Sequence, residues 1–251
     1  MNNNLVKDLL ALGVKPGATL MVHASLKSLG AESGGAAGVV DALLAALGEK
    51  GTLLMPALSY ATVTPDHPVF DVRATPSCVG WLPEYFRTRP GTLRSVHPTH
   101  SVCGVGRRAE DLLSRHSLDT TPVGENSPFT QLPRVGAQIL FIGCGLGPNT
   151  TMHGVEEKVV PPYLFGDPLD YTVTLADGSQ THMTVRRHNF KGWEQHYERL
   201  EAVMPRGLRR GKLLDADCYL LEAAEMWFAA LTKLRENPLY FVDHASAAEV
   251  N

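Results

Sequence analysis

No stretch of this 251-residue chain approaches the roughly 18 uninterrupted apolar residues of a membrane-spanning helix, and its opening, Met1-Asn-Asn-Asn-Leu5, has neither the basic nor the apolar region of a secretion signal. The expectation is a cytoplasmic protein with no membrane partner. Excess charge is also missing: 23 basic against 26 acidic side chains leave a formal −3, which gives no drive toward nucleic acid but tolerates a cationic small molecule. The four cysteines, Cys78, Cys103, Cys144 and Cys218, form no CxxC pair, so neither a dithiol redox centre nor a four-thiolate zinc site is expected. Repeats, low-complexity tracts and long linkers are absent as well. With 44% hydrophobic and 20% charged residues, the expectation is one globular domain over residues 1–251.

What is present reads as alternating helices and strands. Leu5, Leu9 and Leu12 recur at helical spacing before Gly13, and Thr19 to His23 is a compact run suited to a buried strand. A small-residue loop follows, then a helix over Ala37 to Leu47 and a second strand, Thr52 to Pro56. That order spells a strand, helix, strand crossover, in which ligands favour the loops at the carboxyl ends of strands. Ser59 to Ser77 is expected to be irregular, Gly80 to Phe86 and Ala109 to His116 helical, and Ser95 to Gly106 a loop feeding a strand. Val135 to Gly143 is the clearest central strand. Tyr171 to Val185 alternates around Asp177-Gly178 as a hairpin, and Leu220 to Leu234 has the period of a helix. The fold class expected is α/β, a single domain with a mixed β-sheet flanked by helices.

Three segments carry candidate chemistry. In Asn149-Thr-Thr-Met-His153-Gly-Val-Glu156 a His and a Glu three apart share one helical face just past the central strand. A carboxylate on one imidazole nitrogen fixes the tautomer, leaving the other to take a proton from a reacting group; a solvated helix face has the same spacing. The loop His23-Ala-Ser-Leu-Lys-Ser-Leu-Gly30 puts small residues and Lys27 between a strand and a helix. It reads either as a cradle for a pyrophosphate or as a plain connection, and it matches neither the dinucleotide-binding glycine fingerprint nor the P-loop. Arg94 to Val102 gathers hydroxyls and imidazoles round a proline bend, as a polar-ligand cradle or as a hydrogen-bonded core network. His97, His100 and Cys103 have metal-ligand spacing, but in an extended segment residues three apart face opposite ways, so no metal is expected.

Taken together, the His23 to Gly30 loop, the Gly51 to Pro56 strand, the Phe86 to Val102 block, Gly124-Glu-Asn-Ser-Pro128 and Thr151 to Glu156 resemble, in order, the signatures of the aminoglycoside 3-N-acetyltransferases. The resemblance covers about Leu5 to Tyr163. It implies a fold distinct from the GNAT acetyltransferases, acetyl-coenzyme A as cosubstrate without a metal, and an aminoglycoside as the amine partner, hence antibiotic resistance, in a monomer or homodimer. On it, His153 is the catalytic base and Glu156 its orienting carboxylate, with a donor to the reaction's oxyanion near Thr151. Ser25, Leu26, Lys27, Ser28, Leu29 and Gly30 match the coenzyme-binding segment, and Thr99, Ser101 and Val102 line the pantetheine and thioester. Tyr60, Asp71 and Glu125 are candidate amine contacts from the matched half. Cys144 is the covalent rival that the resemblance does not use. Beyond the hairpin, Arg186 to Arg199 is basic and aromatic where resistance enzymes carry acids, which leaves another amine, or a non-catalytic ligand-binding homologue, as alternatives.

Overall fold

A computed structural model describes residues 3–245; both ends of the expected 1–251 domain lie outside the described residues. Helix α1 (Asn3–Leu12) leads into β1 (Thr19–Ala24), α2 (Gly35–Leu47) and β2 (Thr52–Pro56). β1 and β2 pair in parallel with Thr19 opposite Thr52, so the crossover unit forms as its spacing predicts. There follow β3 (Val69–Asp71), α3 (Trp81–Thr88), β4 (Leu93–Arg94), β5 (Val102–Gly106), α4 (Ala109–Leu113) and α5 (Pro128–Gln131). β6 (Gln138–Ile142) then runs parallel to β1 on the side away from β2. The remainder is α6 (Thr151–Val159), β7 (Phe165–Thr174), β8 (Gln180–His188), β9 (Trp193–Gln195), α7 (Leu200–Val203), β10 (Leu208–Leu213), β11 (Ala216–Glu222), α8 (Ala223–Glu236) and β12 (Val242–His244).

The main sheet has the order β10-β11-β6-β1-β2-β5-β4, a parallel centre extended by antiparallel strands. Period-two alternation sends its side chains into two cores. Leu20, Val22, Leu140 and Ile142 pack with α1, α2 and α3 on one face, whereas Met21, Ile139 and Phe141 pack with α4, α5, α6 and α8 on the other. This is a mixed sheet flanked by helices, as expected. Because β2 and β6 lie on opposite sides of β1, the loops after β1 and β6 leave one edge of the sheet and diverge. Their crevice is the topological switch point where α/β sheets bind ligands.

Several boundaries differ from the sequence reading. Leu220 and Leu221 belong to β11 and not to the last helix, which starts at Ala223. They face opposite cores, an alternation that a short apolar run leading into a helix conceals. The β10–β11 hairpin, absent from that reading, joins the sheet beside β6. The helix from Ala109 ends at Leu113, before a separate turn at His116–Leu118. The irregular 59–77 segment holds β3, which pairs with β7 of the expected hairpin to make a second sheet, β3-β7-β8. That hairpin turns at Asp177-Gly178, and its strands run longer than expected, so β8 reaches His188.

Packing of α8 against α6 constrains the candidate base directly. A Cβ on Gly154 would lie 2.8 Å from the Trp227 ring and 3.0 Å from Val123, so the residue after His153 must be small for the two helices to meet. Elsewhere in a helix, alanine for glycine stabilises by about 1 kcal/mol. Here the rigid indole reverses the sign: Gly154→Ala is expected to lose about 1 to 2 kcal/mol net, read as a lower midpoint in thermal or urea unfolding. A stabilised variant would show that α6 and α8 are not packed this closely.

Candidate active site

β6 ends at Ile142, and the chain turns sharply at Gly143, whose φ of +63° favours glycine. A side chain there would also strike the loop after β1, since a Cβ would fall 1.7 Å from Ser28 Oγ. The two loops are tied together by the Ser25 N–H donating to the Ile142 carbonyl at 2.8 Å, and Ser28 Oγ closes the turn on the Ser25 carbonyl at 2.6 Å. Ser25 to Gly30 thus forms a short 3-10 turn at the switch-point edge, with Lys27 exposed. The loop after β6 reaches Asn149 and Thr150, and α6 brings His153 to the crevice.

Glu156, on the same face of α6, is fully buried. Its Oε2 lies 2.9 Å from His153 Nδ1 and accepts from the Tyr197 hydroxyl at 2.9 Å, while its Oε1 accepts from the Tyr163 hydroxyl at 2.9 Å. A buried carboxylate is tolerated only with such partners, and here three donors converge on one. Burial, reinforced by the Glu156 charge, pushes both phenols above their ordinary range, so each keeps its proton and donates. With Nδ1–H committed to Glu156, the lone pair of Nε2 is available. The His153 side chain is 12% exposed, enough to meet a ligand from one side.

His153 opens into a cleft of about 390 Å³, the size of a small-molecule site. The Gly147 to Thr150 loop, Leu58, Tyr60, Val79, Thr99 and His100 form part of its wall, and Arg187, His188, Phe190, Gln195 and Tyr197 form the rest. The second group comes from the end of β8 and the segment after it, so the basic and aromatic Arg186 to Arg199 stretch is a wall of the site. A second dyad stands beside the first: His188 Nε2 is 2.9 Å from Glu157 Oε1, which also accepts from the Val123 N–H at 2.7 Å. Burial pushes the Glu157 carboxyl up to about 7, and burial with a neighbouring imidazole drives His188 well below the ordinary histidine range.

The structure brings together only part of the predicted set. His153, Glu156, Thr99 and Tyr60 meet at or beside the cleft. The Thr151 side chain is buried, with its hydroxyl unpartnered, and it is the neighbouring Asn149 whose amide is buried without a partner in the cleft wall. Ser101 and Val102 are wholly buried and are not cleft walls: Ser101 accepts from Arg94 Nε and donates to the Ala57 carbonyl, and Val102 is core. Asp71 is turned to the backbone N–H groups of Arg73 and Ala74, and Glu125 to Lys158 and Arg134, so neither lines the cleft.

The Arg94 to Val102 block divides between its two readings. His97 accepts the Thr99 and His100 N–H groups and stacks on His116 with centroids 4.7 Å apart, a core network, whereas Thr99 and His100 reach the cleft. His97 and His100 sit in a turn before β5, and Cys103 packs into the opposite core. The separation of these three thus comes from the two faces of the sheet and not from alternation within one strand. Burial pushes the Cys144 thiol up to about 11, and it stands outside the cleft lining. The sequence reading missed His188, Glu157, Tyr197 and Asn149; the only signal was the density of imidazole and aromatic side chains in the segment left unassigned.

A sequence model of the aminoglycoside 3-N-acetyltransferase family matches residues 21–235. Aminoglycoside N(3)-acetyltransferase III of Pseudomonas aeruginosa is 33% identical over 249 residues, spanning 89% of this chain and 89% of the relative. Among solved structures, aminoglycoside acetyltransferase AAC(3)-IVa, a histidine-to-alanine mutant in complex with gentamicin, superposes with a TM-score of 0.81 at 30% identity, covering 96% of this chain and 90% of that one. AAC-IIIb, binary with CoASH, gives a TM-score of 0.83 at 25% identity over 94% of this chain and 96% of that one.

The buried histidines behind the site make stability depend on pH. Burial holds His23 down to about 3 and His116 down to about 4, and it drives His97 lower as well. Unfolded histidines titrate near ~6.5, so below that pH the unfolded chain takes up protons that the native state refuses. Their contribution to stability is therefore full above pH ~6.5 and is lost as pH falls toward 4. Glu157 and Asp119, whose carboxyls burial raises, act in the opposite sense. Removing one imidazole isolates the effect. His116→Asn is expected to lower the slope of unfolding free energy between pH 6.5 and 4.5 by about one proton, ~1.4 kcal/mol per pH unit, in urea titrations; an unchanged slope would mean that His116 is protonated in the native state.

Proposed function

The chain belongs to the aminoglycoside 3-N-acetyltransferase family, and we propose that it transfers the acetyl group of acetyl-coenzyme A directly to the 3-amino group of an aminoglycoside, with His153 as general base. The observation that carries this reading is Glu156, buried beneath His153 and clamped by Tyr163 and Tyr197, which holds the imidazole with Nε2 toward the cleft. In the reaction the amine lone pair attacks the thioester carbonyl carbon and the carbonyl π pair moves to oxygen. The C–S bond then breaks to release the coenzyme thiolate. His153 Nε2 takes the proton that the nitrogen sheds, Glu156 stabilises the imidazolium, and the proton passes on to the thiolate. The unpartnered Asn149 amide and the start of α6 near Thr151 are the candidate donors to the tetrahedral oxyanion.

Ser25 to Gly30, with Lys27, holds the coenzyme phosphates on this reading, and Thr99 the end of its pantetheine arm; the close contact at Gly143 ties that loop to the one that leads into α6. An amine needs no relay nucleophile to attack a thioester, and the buried Cys144 thiol is poorly suited to supply one. Acetylation turns an ammonium into a neutral amide, weakening any site that reads the antibiotic's charge, hence resistance. No helix among the described residues is long and apolar enough to cross a membrane; a cytoplasmic monomer or homodimer completes the reading.

One observation favours a second reading of the acceptor. The cleft lining carries Arg187 but no carboxylate, while polycations are ordinarily met by acids. An amine bearing a neutral or anionic group fits that wall equally well.

Replacing the base separates binding from chemistry. His153→Ala is expected to keep its affinity for acetyl-coenzyme A in calorimetry while kcat falls about 10² to 10⁴-fold, and Glu156→Gln is expected to lose less. Undiminished kcat in His153→Ala at neutral pH would remove His153 as base. The acceptor is decided by thiol release from acetyl-coenzyme A across aminoglycosides and simpler amines, with product position read by NMR. We expect aminoglycosides acetylated at the 3-amino group and intersecting initial-rate plots. Turnover only of singly charged or zwitterionic amines would favour the second reading, and parallel plots would overturn direct transfer.

A further inference from the structure

Three imidazoles converge at the base of the cleft. The ligating nitrogens available from His100, His153 and His188 all lie within 4.8 Å of one another, and the rings meet at steep angles (centroids 4.8 to 5.9 Å apart, interplanar angles 57 to 81°). They come from three distant parts of the chain: the turn before β5, helix α6 and the end of β8. On each ring one nitrogen is already engaged. His153 Nδ1 is held by Glu156, His188 Nε2 by Glu157 at 2.9 Å, and His100 Nδ1 by the Thr99 hydroxyl at 2.9 Å. The other nitrogen takes no part in these bonds, and on His188 that atom, Nδ1, is buried with no partner at all.

This is more than proximity. Histidine ligands in metal sites characteristically donate their second N–H to a carboxylate or similar acceptor, which fixes the tautomer and makes the ligating nitrogen more basic. Here two of the three rings have a carboxylate behind them and the third a hydroxyl. A tetrahedral ion with ligands at ~2.0 to 2.1 Å needs its nitrogens roughly 3.3 Å apart, a closure that small side-chain rotations supply. Its fourth position would face the cleft.

We propose that His100, His153 and His188 form a binding site for a divalent transition-metal ion of the zinc class, and that the ion switches the enzyme off. Metal and catalysis exclude each other because both require the His153 Nε2 lone pair, so the ion acts as an inhibitor and not as a cofactor. The inhibition, though not the binding, rests on His153 being the base, which His153→Ala tests on metal-free enzyme.

The test is direct. Metal-free enzyme is titrated with Zn²⁺ in calorimetry and with Co²⁺ in visible absorption, and the zinc-loaded protein is measured by X-ray absorption. We expect one ion per chain, three imidazole nitrogens at about 2.0 to 2.1 Å, the intense visible bands of tetrahedral Co²⁺, and loss of acetyl transfer that EDTA restores. Glu157→Gln, which keeps all three rings, should weaken the affinity about 10- to 100-fold, and His188→Gln more. If a variant fails to fold by circular dichroism, the imidazole count on wild-type protein decides. No binding at 0.1 mM Zn²⁺ would overturn the proposal. So would a shell with one imidazole and carboxylates, which would put the ion at the half-buried His196, beside Glu194, Glu198 and Asp243. Three-ring binding with full turnover would overturn the switch.

Discussion

The burial of one carboxylate organises this protein. Glu156 has no exposed surface, and removing such a group from water costs several kcal/mol unless donors replace the lost solvent. Those donors come from three places: His153 a turn earlier on α6, Tyr163 just beyond it, and Tyr197 forty-one positions away. Satisfying the carboxylate therefore fixes His153, the exit of α6 and the segment after β9 in one arrangement. The requirements of a stable core and of an oriented imidazole coincide at this residue. A polar cluster so fully paired has one low-energy geometry, which is what a catalytic imidazole needs before substrate arrives.

Around this point the second sheet serves as a wall. The β7–β8 hairpin packs its own small core of Phe70, Tyr171, Val173 and Val185, and the last residues of β8 carry Arg187 and His188 into the cleft. The His188–Glu157 contact anchors that wall to α6, one residue past Glu156. Adjacent carboxylates on one helix thus hold two imidazoles from different elements. This accounts for the density of histidine at the site and for its second possible use, as a set of ligands.

The charge of the cleft is the feature least like a site for polycations. Its carboxylates stand behind the rings, engaged in orienting them, and the free charge at the lining is Arg187. Glu125, an acid within the matched motifs, is neutralised by Lys158 and Arg134 away from the cleft. Beside Arg187 the lining offers uncharged polar groups, among them Tyr60, Asn149 and Gln195.

Local pattern was enough for the β1–α2–β2 crossover, the β6 strand, the Asp177-Gly178 turn and the His153–Glu156 spacing, because each is set by contacts within a few residues or by the period of its own side chains. The assignment of His153 as candidate base and of Ser25 to Gly30 as candidate coenzyme segment came from the ordered motifs of the resemblance; in the fold they follow β6 and β1. Pattern misread Leu220 and Leu221, where an apolar run fits strand and helix alike until pairing with β6 decides. The resemblance, not the pattern, put Ser101, Val102, Asp71 and Glu125 among the candidate site residues; the first two are buried and the acids meet partners of their own. Only the density of imidazole and aromatic side chains in their segment hinted at His188 and Tyr197, and nothing marked Glu157, because their roles exist only in contacts with residues 31 to 44 positions away. Spacing along one helix can put a carboxylate under a histidine; only the packing of separate elements decides what else surrounds them.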